Sequence, residues 1–117
     1  MANSPLPEPR DGLVTRSRPW AEGTLLTLLG ELDHDSADDL RSALDDALRP
    51  PGTVLVIDCA GLGFCDSTGL DTLLRAQARA AAEGSRIDLA RPRPLVRWML
   101  QRTGTAELFS IRDAPPA

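Results

Sequence analysis

The stretch that decides the fold spans residues 53–83, TVLVIDCAGLGFCDSTGLDTLLRAQARAAAE. It opens with the apolar, β-branched run at residues 54–57, which follows Pro-Pro-Gly and is typical of a strand buried on both faces. It closes with an Ala- and Leu-rich segment whose apolar residues recur at helical spacing. Between them lies the DSTG sequence of residues 66–69, in which we place Ser67 at the helix N-cap. The expected buried stripe of this helix consists of Leu70, Leu73, Leu74, Ala78 and Ala81.

The segments around this stretch predict alternating strands and helices. Residues 13–18 predict an edge strand, since Pro19 follows, and residues 24–29 predict a central strand that forms an antiparallel hairpin with it. Ser36, with Asp39 three residues later, resembles a capping box that starts a helix ending before Pro50. A strand at 87–90, a helix from Pro94 to a stop at Gly104, and a last strand at 107–111 follow.

The element order is therefore β-β-α-β-α-β-α-β, which predicts an α/β domain with a mixed, mainly parallel sheet. We expect a disordered, Pro-rich lead-in at residues 1–11, the domain at 12–112 and a tail at 113–117. In such sheets, functional sites gather where the carboxyl ends of strands meet helix N-termini. Ser67 is predicted to lie there, and a phosphate on its hydroxyl would be favoured by the helix N-terminus.

Composition excludes several classes of function. The 117 residues carry a net charge of −4, and all thirteen basic residues are arginine, with no basic stripe for nucleic acid. Cys59 and Cys65 lack the spacing of a zinc site, so we expect buried free thiols in a reducing cytoplasm. No apolar run is long enough for a membrane span, and no resident cofactor is expected.

Ser67 also permits two other interpretations. It could be a plain helix cap, which is the commonest use of a serine in this position. It could be a nucleophile with His34, the single histidine, but no G-x-S-x-G sequence surrounds it, so we expect no enzyme activity. The glycines near it match no phosphate-loop sequence. The neighbouring acidic cluster is interpreted as a solvated face rather than a cation site; it consists of Glu31, Asp33, Asp35, Asp38 and Asp39.

Two motifs together resemble a known family. The sequence GELD at residues 30–33 and the sequence LGFCDSTGL at residues 62–70 are similar to those of the STAS domain of bacterial anti-sigma-factor antagonists. The resemblance extends over residues 13–111. It implies a STAS-like mixed sheet with helices largely on one face, consistent with the element order.

The resemblance further implies a binding protein rather than an enzyme. Its partner would be an anti-sigma factor that is also a serine kinase with a histidine-kinase-like ATPase fold. That kinase would phosphorylate Ser67, with Asp66 near its ATP–Mg²⁺ site, and a PP2C-type phosphatase would reverse the reaction. The unphosphorylated form would bind the anti-sigma factor and so release the sigma factor. The expected partner-binding residues are Glu31, Asp33, His34, Asp66, Ser67, Thr68 and Gly69.

Two points remain open at the level of sequence. A STAS subunit of a lipid-transport ATPase or of a stress-sensing scaffold is the alternative function, although such subunits tend to lose the phosphorylatable serine. Family members commonly carry a further helix after the last strand, where this sequence has residues 112–117, RDAPPA. We therefore expect one sheet face or part of the core to be less covered, and a partner or weak self-association to cover it.

Overall fold

The computed structural model describes residues 12–117, so the predicted lead-in at 1–11 lies outside the described residues. The described residues form one sheet with the strand order β1-β2-β3-β4-β5, the same as the order along the chain. The strands are β1 Leu13–Trp20, β2 Gly23–Leu32, β3 Val54–Cys65, β4 Arg86–Ala90 and β5 Ser110–Arg112. The helices are α1 Ala37–Ala47, α2 Ser67–Ala82 and α3 Pro94–Arg102.

The sheet is mixed and mainly parallel. β1 and β2 form an antiparallel hairpin in which Trp20 lies opposite Gly23. Each later strand pairs in parallel with the one before it, and a helix connects each parallel pair. The predicted α/β class, element order and hairpin are therefore confirmed.

One hydrophobic core joins all three helices to a single face of the sheet. Leu55 and Ile57 of the central strand are fully buried in it, together with Leu40 of α1 and Leu100 of α3. Predicting a central strand buried on both faces was also right, because Val56, which points to the other face, is fully buried as well. We call the face that carries the helices the helix face and the opposite one the open face.

The predicted stripe of α2 is partly wrong. Leu70 and Leu73 are buried as expected, but the stripe continues through Ala76 and Ala80, whereas Ala78 and Ala81 are exposed. Alanines occupy most positions in the second half of this helix, so their pattern does not distinguish one side from another. Packing against α1 and β4 decides which of them are buried.

The open face has a small apolar strip and two carboxylates that are largely removed from water. Leu25, Val56 and Ala90 are buried there against Trp20. The side chain of Asp88 is only 1% exposed, and its oxygens accept hydrogen bonds from the guanidinium groups of Arg86 and Arg112 at 3.1 and 2.9 Å. Asp58 is paired with the guanidinium of Arg91 at 2.7 Å. These pairs provide the neutralisation that a buried carboxylate requires.

Residues of the two edge strands and of the tail after β5 also lie on this face. The guanidinium of Arg112 lies over the ring of Trp20 at 5.1 Å, and Trp20 donates its indole N–H to the carbonyl of Val54. Arg18, on the edge strand β1, donates to the carbonyl of Pro116 at 3.1 Å. Residues of both edge strands and of the tail therefore cover part of the face that we expected a partner to cover.

The last strand is shorter than predicted. Residues 106–108 form a single turn of 3-10 helix, and β5 contains only Ser110–Arg112. The hydroxyl of Thr105 bonds the carbonyl of Leu100, and the N–H of Leu108 bonds the carbonyl of Thr105. Such local hydrogen bonds compete with strand pairing, so the chain enters the sheet three residues later than its apolar pattern indicates.

The side chain of Gln77 forms hydrogen bonds with the part of β4 that β5 does not reach. Its side-chain oxygen accepts the N–H of Ile87 at 2.9 Å, and its amide nitrogen donates to the carbonyl of Ile87 at 3.1 Å. The same nitrogen donates to the carbonyl of Leu108 at 2.6 Å. One side chain of α2 thus satisfies the edge of β4 where β5 does not reach it.

Replacing Gln77→Ala is expected to lower the free energy of unfolding by about 1–3 kcal/mol, because both backbone groups of the buried Ile87 lose their partner. Urea unfolding followed by circular dichroism measures the change. The matched control is Gln101→Ala on the exposed side of α3, which should change stability by less than about 0.5 kcal/mol. Equal effects of the two substitutions would contradict this role of Gln77.

Candidate functional site

The two sequence motifs meet at the carboxyl ends of the central strands. Glu31 and Leu32, at the end of β2, lie opposite Phe64 and Cys65, at the end of β3. The N–H of Asp66 bonds the carbonyl of Leu32 at 3.0 Å, which holds the beginning of α2 against the end of β2. The structure therefore brings the GELD and DSTG segments together at one edge of the sheet.

Asp66, rather than Ser67, is the N-cap of α2. Its Oδ1 accepts the N–H of Gly69 at 2.8 Å, and Ser67 is the first residue of the helix. The prediction that placed Ser67 at the N-cap is wrong by one residue. Aspartate and serine are both good caps, so their order did not decide between them, whereas β3 extends as far as Cys65 and leaves Asp66 as the junction.

Asp66 also binds the loop between β2 and α1. Its Oδ2 accepts the backbone N–H of His34 at 3.1 Å, while its Oδ1 caps α2. The two oxygens of one carboxylate thus hold two loops in a fixed relation. A carboxylate that accepts backbone N–H groups is a strong acceptor, so this arrangement makes the site rigid.

Asp33 shapes the His34 loop itself. Its Oδ1 accepts the N–H groups of Asp35 and Ser36 at 3.0 and 3.1 Å. The hydroxyl of Ser36 donates to the carbonyl of Glu31 at 3.0 Å and accepts the N–H of Asp33 at 2.9 Å. The predicted capping box is therefore wrong: Ser36 is the residue before α1, but its side chain turns back into the loop and does not cap the helix.

Ser67 and Thr68 are exposed at the start of α2. The hydroxyl of Ser67 makes no hydrogen bond to any residue of the described range 12–117, and the imidazole of His34 makes none either. The Ser67–His34 pair required for a nucleophile is thus not formed by hydrogen bonding between these residues. Ser67 stands beside an acidic loop, with its hydroxyl accessible to a partner.

Gly69 permits close packing between α2 and β2. A methyl group on it would lie 2.5 Å from Cγ and 3.1 Å from the carbonyl oxygen of Leu32, so a larger residue does not fit. Gly69 is buried, and its absent side chain is what lets the helix pack closely on the strand. Gly69 is the last residue of the DSTG sequence. Its contact with Leu32 sets the distance between this motif and the GELD sequence.

A polar cleft lies between α1 and α2, and Thr68, the neighbour of Ser67, is one of its lining residues. It has a volume of about 510 Å³, and its arginines are paired with nearby carboxylates. Ligand pockets are usually apolar with a few convergent polar groups, which this cleft is not. Among residues 12–117, no group of three or more metal-binding side chains is present. The cleft is lined by His34, Asp35, Ala37, Asp38, Arg41, Thr68, Asp71, Thr72, Arg75 and Arg79.

The two cysteines are buried free thiols, as expected. Burial raises the pKa of each thiol from 9.0 to about 12, and the nearby carboxylates of Asp58 and Asp66 add to the shift for Cys59 and Cys65 respectively. A thiol with so high a pKa is protonated at neutral pH and is a poor nucleophile. Cys65, next to Asp66, therefore contributes packing rather than chemistry.

Phe64 is the residue near the site that sequence reasoning did not select. It directly precedes the buried Cys65, yet 40% of its surface is exposed. Its aromatic character and its place in the motif were visible in the sequence, but they suit a core residue equally well. Its exposure depends on a register shift at Gly63, between the pairs Gly30–Leu62 and Glu31–Phe64.

The comparisons with known proteins agree with this geometry. The sequence model of the family described as "Mlab, STAS domain" matches residues 19–111. An anti-sigma F factor antagonist of Lysinibacillus sphaericus is 30% identical over 93 residues, which cover 79% of this chain and 75% of that protein. The chain therefore belongs to the STAS-domain family, as its two motifs indicated.

Solved structures show the same fold. An anti-sigma factor antagonist from Mycobacterium paratuberculosis matches with a TM-score of 0.76 and 23% identity, covering 87% of this chain and 86% of that one. The anti-sigma factor antagonist SpoIIAA in its unphosphorylated form matches with a TM-score of 0.71 and 23% identity, covering 84% and 87%. The phosphorylated form of SpoIIAA from Bacillus matches with a TM-score of 0.65, also at 23% identity, covering 84% of this chain and 90% of that one. No helix within residues 12–117 is long and apolar enough to cross a membrane.

Replacing Gly69→Ala is expected to destabilise the protein by about 1–3 kcal/mol, because the added methyl group overlaps Leu32. The sign is informative, since alanine normally stabilises a helix relative to glycine by about 1 kcal/mol. Thermal unfolding measures the change. Gly63→Ala is the matched control, because a methyl group there has its nearest contact at 3.8 Å. A more stable Gly69→Ala variant would contradict the prediction and show that α2 can lie further from β2.

Replacing Asp66→Ala is expected to lower stability by about 1–2 kcal/mol through loss of the helix cap. It should also speed hydrogen exchange at two amides, Gly69 and His34, although His34 is 32 residues away in sequence. Amide exchange measured by NMR tests both effects. The control is Asp71→Ala in the same helix, whose carboxylate pairs with the exposed Arg75. Unchanged exchange at His34 would contradict the link between the two loops.

Proposed function

We propose that this protein is an anti-sigma-factor antagonist whose binding to its partner is switched by phosphorylation of Ser67. The observation that carries the proposal is the position of Ser67: exposed, first in α2, and adjacent to a loop fixed by Asp66. The family membership of the chain and the names of its relatives support it. The unphosphorylated form binds the anti-sigma factor in the cytoplasm and thereby releases the sigma factor.

The partner we propose is an anti-sigma factor that is also a serine kinase with a histidine-kinase-like ATPase fold. A kinase substrate must present its hydroxyl to the terminal phosphate of the nucleotide, and Ser67 is accessible for this. Its neighbours Glu31, Asp33, His34, Asp66 and Thr68 would form the rest of the contact. A PP2C-type phosphatase would need the same accessibility to remove the phosphate.

Phosphorylation would change the site by charge more than by shape. The phosphate adds about −1.5 to −2 charges at the start of α2, where the helix dipole favours an anion, so the fold itself should tolerate it. In the complex, that charge would lie beside the phosphates of the nucleotide from which it came. Like charges brought together in an interface weaken binding, so the phosphorylated form would dissociate.

A binding role fits the geometry better than catalysis does. Both oxygens of Asp66 are occupied by backbone N–H groups, so this carboxylate is poorly placed to act as a base. His34 is held through its backbone, and its side chain makes no hydrogen bond to Ser67 among the described residues. We therefore propose that Ser67 is the substrate of a separate kinase and not a nucleophile of this protein.

The first test is intact-mass and phosphopeptide analysis of the chain isolated from its own cells under several growth conditions. We expect one phosphate on the peptide containing Ser67, which disappears in Ser67→Ala and persists in the control variant Thr72→Ala, in the same helix but outside the proposed contact. A chain that is never phosphorylated under any condition would overturn the switch and favour the constitutive STAS subunit of a transport ATPase or scaffold.

Binding provides the second part of the same test. The anti-sigma factor that co-purifies with the tagged chain should bind Ser67→Asp at least about tenfold more weakly than the wild type, which corresponds to about 1.4 kcal/mol. Thr68→Asp carries the same added charge one residue further along and should weaken binding less. Wild-type affinity in Ser67→Asp would contradict control by charge at this serine.

A further inference from the structure

The proposed site lacks the apolar surface that a protein interface needs. Six of its seven predicted residues are polar or charged, and the seventh, Gly69, is buried against Leu32. Protein interfaces obtain most of their binding energy from a few large side chains at their centre, with polar groups around them. A partner that binds Ser67 must therefore bury apolar side chains next to the predicted residues.

Phe64 is the exposed apolar side chain nearest to Ser67 in the chain. It lies three residues before Ser67 and opposite Glu31 in the pairing of β2 with β3. Because Cys65 points into the core on the helix face, side-chain alternation directs Phe64 to the open face. The exposed large apolar residues within 12–117 are Val14, Phe64, Leu95, Trp98, Leu108 and Ile111.

Two further apolar residues lie on the same face at the same end of the sheet. Val14 is 43% exposed and pairs with Leu29 across the hairpin. Leu28 is buried in the helix-face core, so Leu29 points the other way, and its side chain occupies the space that a methyl group on Gly61 would need. We call Val14, Leu29 and Phe64 the open-face patch.

We infer that the open-face patch, with Phe64 as its anchor, is the apolar centre of the surface that binds the anti-sigma factor. This inference rests on the proposed function, because it assigns the patch to the same partner that contacts Ser67. The patch is continuous with the site through the Glu31–Phe64 pair. Glu31, Asp33 and Asp35 give its neighbourhood a negative charge, which suits the cationic groups and Mg²⁺ of a nucleotide-phosphate site.

A second copy of this chain fits the patch less well. In a two-fold symmetric contact the same surface meets itself, so Glu31 and Asp33 of one copy would approach those of the other. Like charges brought together across an interface oppose binding. Charge therefore favours a different protein, one whose apolar pocket is bordered by arginine or lysine.

Photo-crosslinking in the protein's own cells tests the assignment. The photoreactive residue p-benzoylphenylalanine replaces Phe64, Thr68 or Leu108 in three separate variants, and mass spectrometry identifies the crosslinked proteins. Thr68 probes the Ser67 site, and Leu108 is a control of similar exposure that precedes β5 and so lies at the amino ends of the parallel strands. We expect positions 64 and 68 to crosslink to one and the same ATPase-fold protein, and position 108 not to do so.

The remaining outcomes separate this inference from the proposed function. Crosslinking to that protein at position 68 but not at 64, or to different proteins at the two positions, would overturn the role of Phe64 and leave the function of Ser67 standing. Absence of the ATPase-fold protein from the crosslinks at both positions would overturn both. Crosslinking at position 108 to the same protein as at 64 would also overturn the inference, since contact would not be confined to the open-face patch.

Affinity measurements with the protein identified by crosslinking give the contribution of Phe64 to binding. Phe64→Ala should weaken binding by at least about tenfold, as expected for an aromatic anchor, while Phe64→Leu should lose less. Leu108→Ala should bind like the wild type. Thermal unfolding of each variant verifies that it is folded. If Phe64→Ala is not folded, Phe64→Leu replaces it in the binding measurement. Binding of folded Phe64→Ala within about twofold of wild type would overturn the inference, as would wild-type binding by Phe64→Leu if only that variant folds.

Discussion

The carboxylate of Asp66 accepts a backbone N–H from each of two loops, and the geometry of the site depends on this shared acceptor. One oxygen fixes the start of α2 and the other fixes the His34 loop. Without the carboxylate, the backbone bond of Asp66 to Leu32 and the Gly69 contact would still hold α2 against β2, but the His34 loop would lose its hydrogen bond to the start of α2. A partner that recognises both would then have to order them on binding, which costs affinity.

Asp66 has this position because the packing beneath it is close. Gly69 allows α2 to approach Leu32, and the N–H of Asp66 bonds the carbonyl of the same residue. The cap, the backbone bond and the glycine contact are three independent constraints on one junction. They hold the DSTG segment at the end of β2 even though Ser67 itself makes no side-chain hydrogen bond within residues 12–117.

The open face shows how a sheet with helices on one side avoids exposing its other side. Its apolar strip is short, its buried carboxylates are neutralised by arginines from β4, β5 and the segment between, and Trp20 lies across it. This cover is concentrated over the middle of the sheet, with Val56 and Ala90 fully buried. Towards the carboxyl ends of β2 and β3 it gives way to the exposed Phe64, beside the site.

The sequence by itself determined the class of the fold and the order of its elements. These follow from short-range patterns: β-branched runs, helical spacing and the prolines and glycines that end them. Tertiary structure alone decided which of two adjacent caps is used, which alanines of α2 are buried, where β5 begins, and that Phe64 faces water. Each of these is a choice between alternatives of similar local energy, Asp66 against Ser67 or Ala80 against Ala81. Only the contacts made by the rest of the chain, such as the length of β3 and the hydrogen bonds of Gln77 to Ile87, separate them.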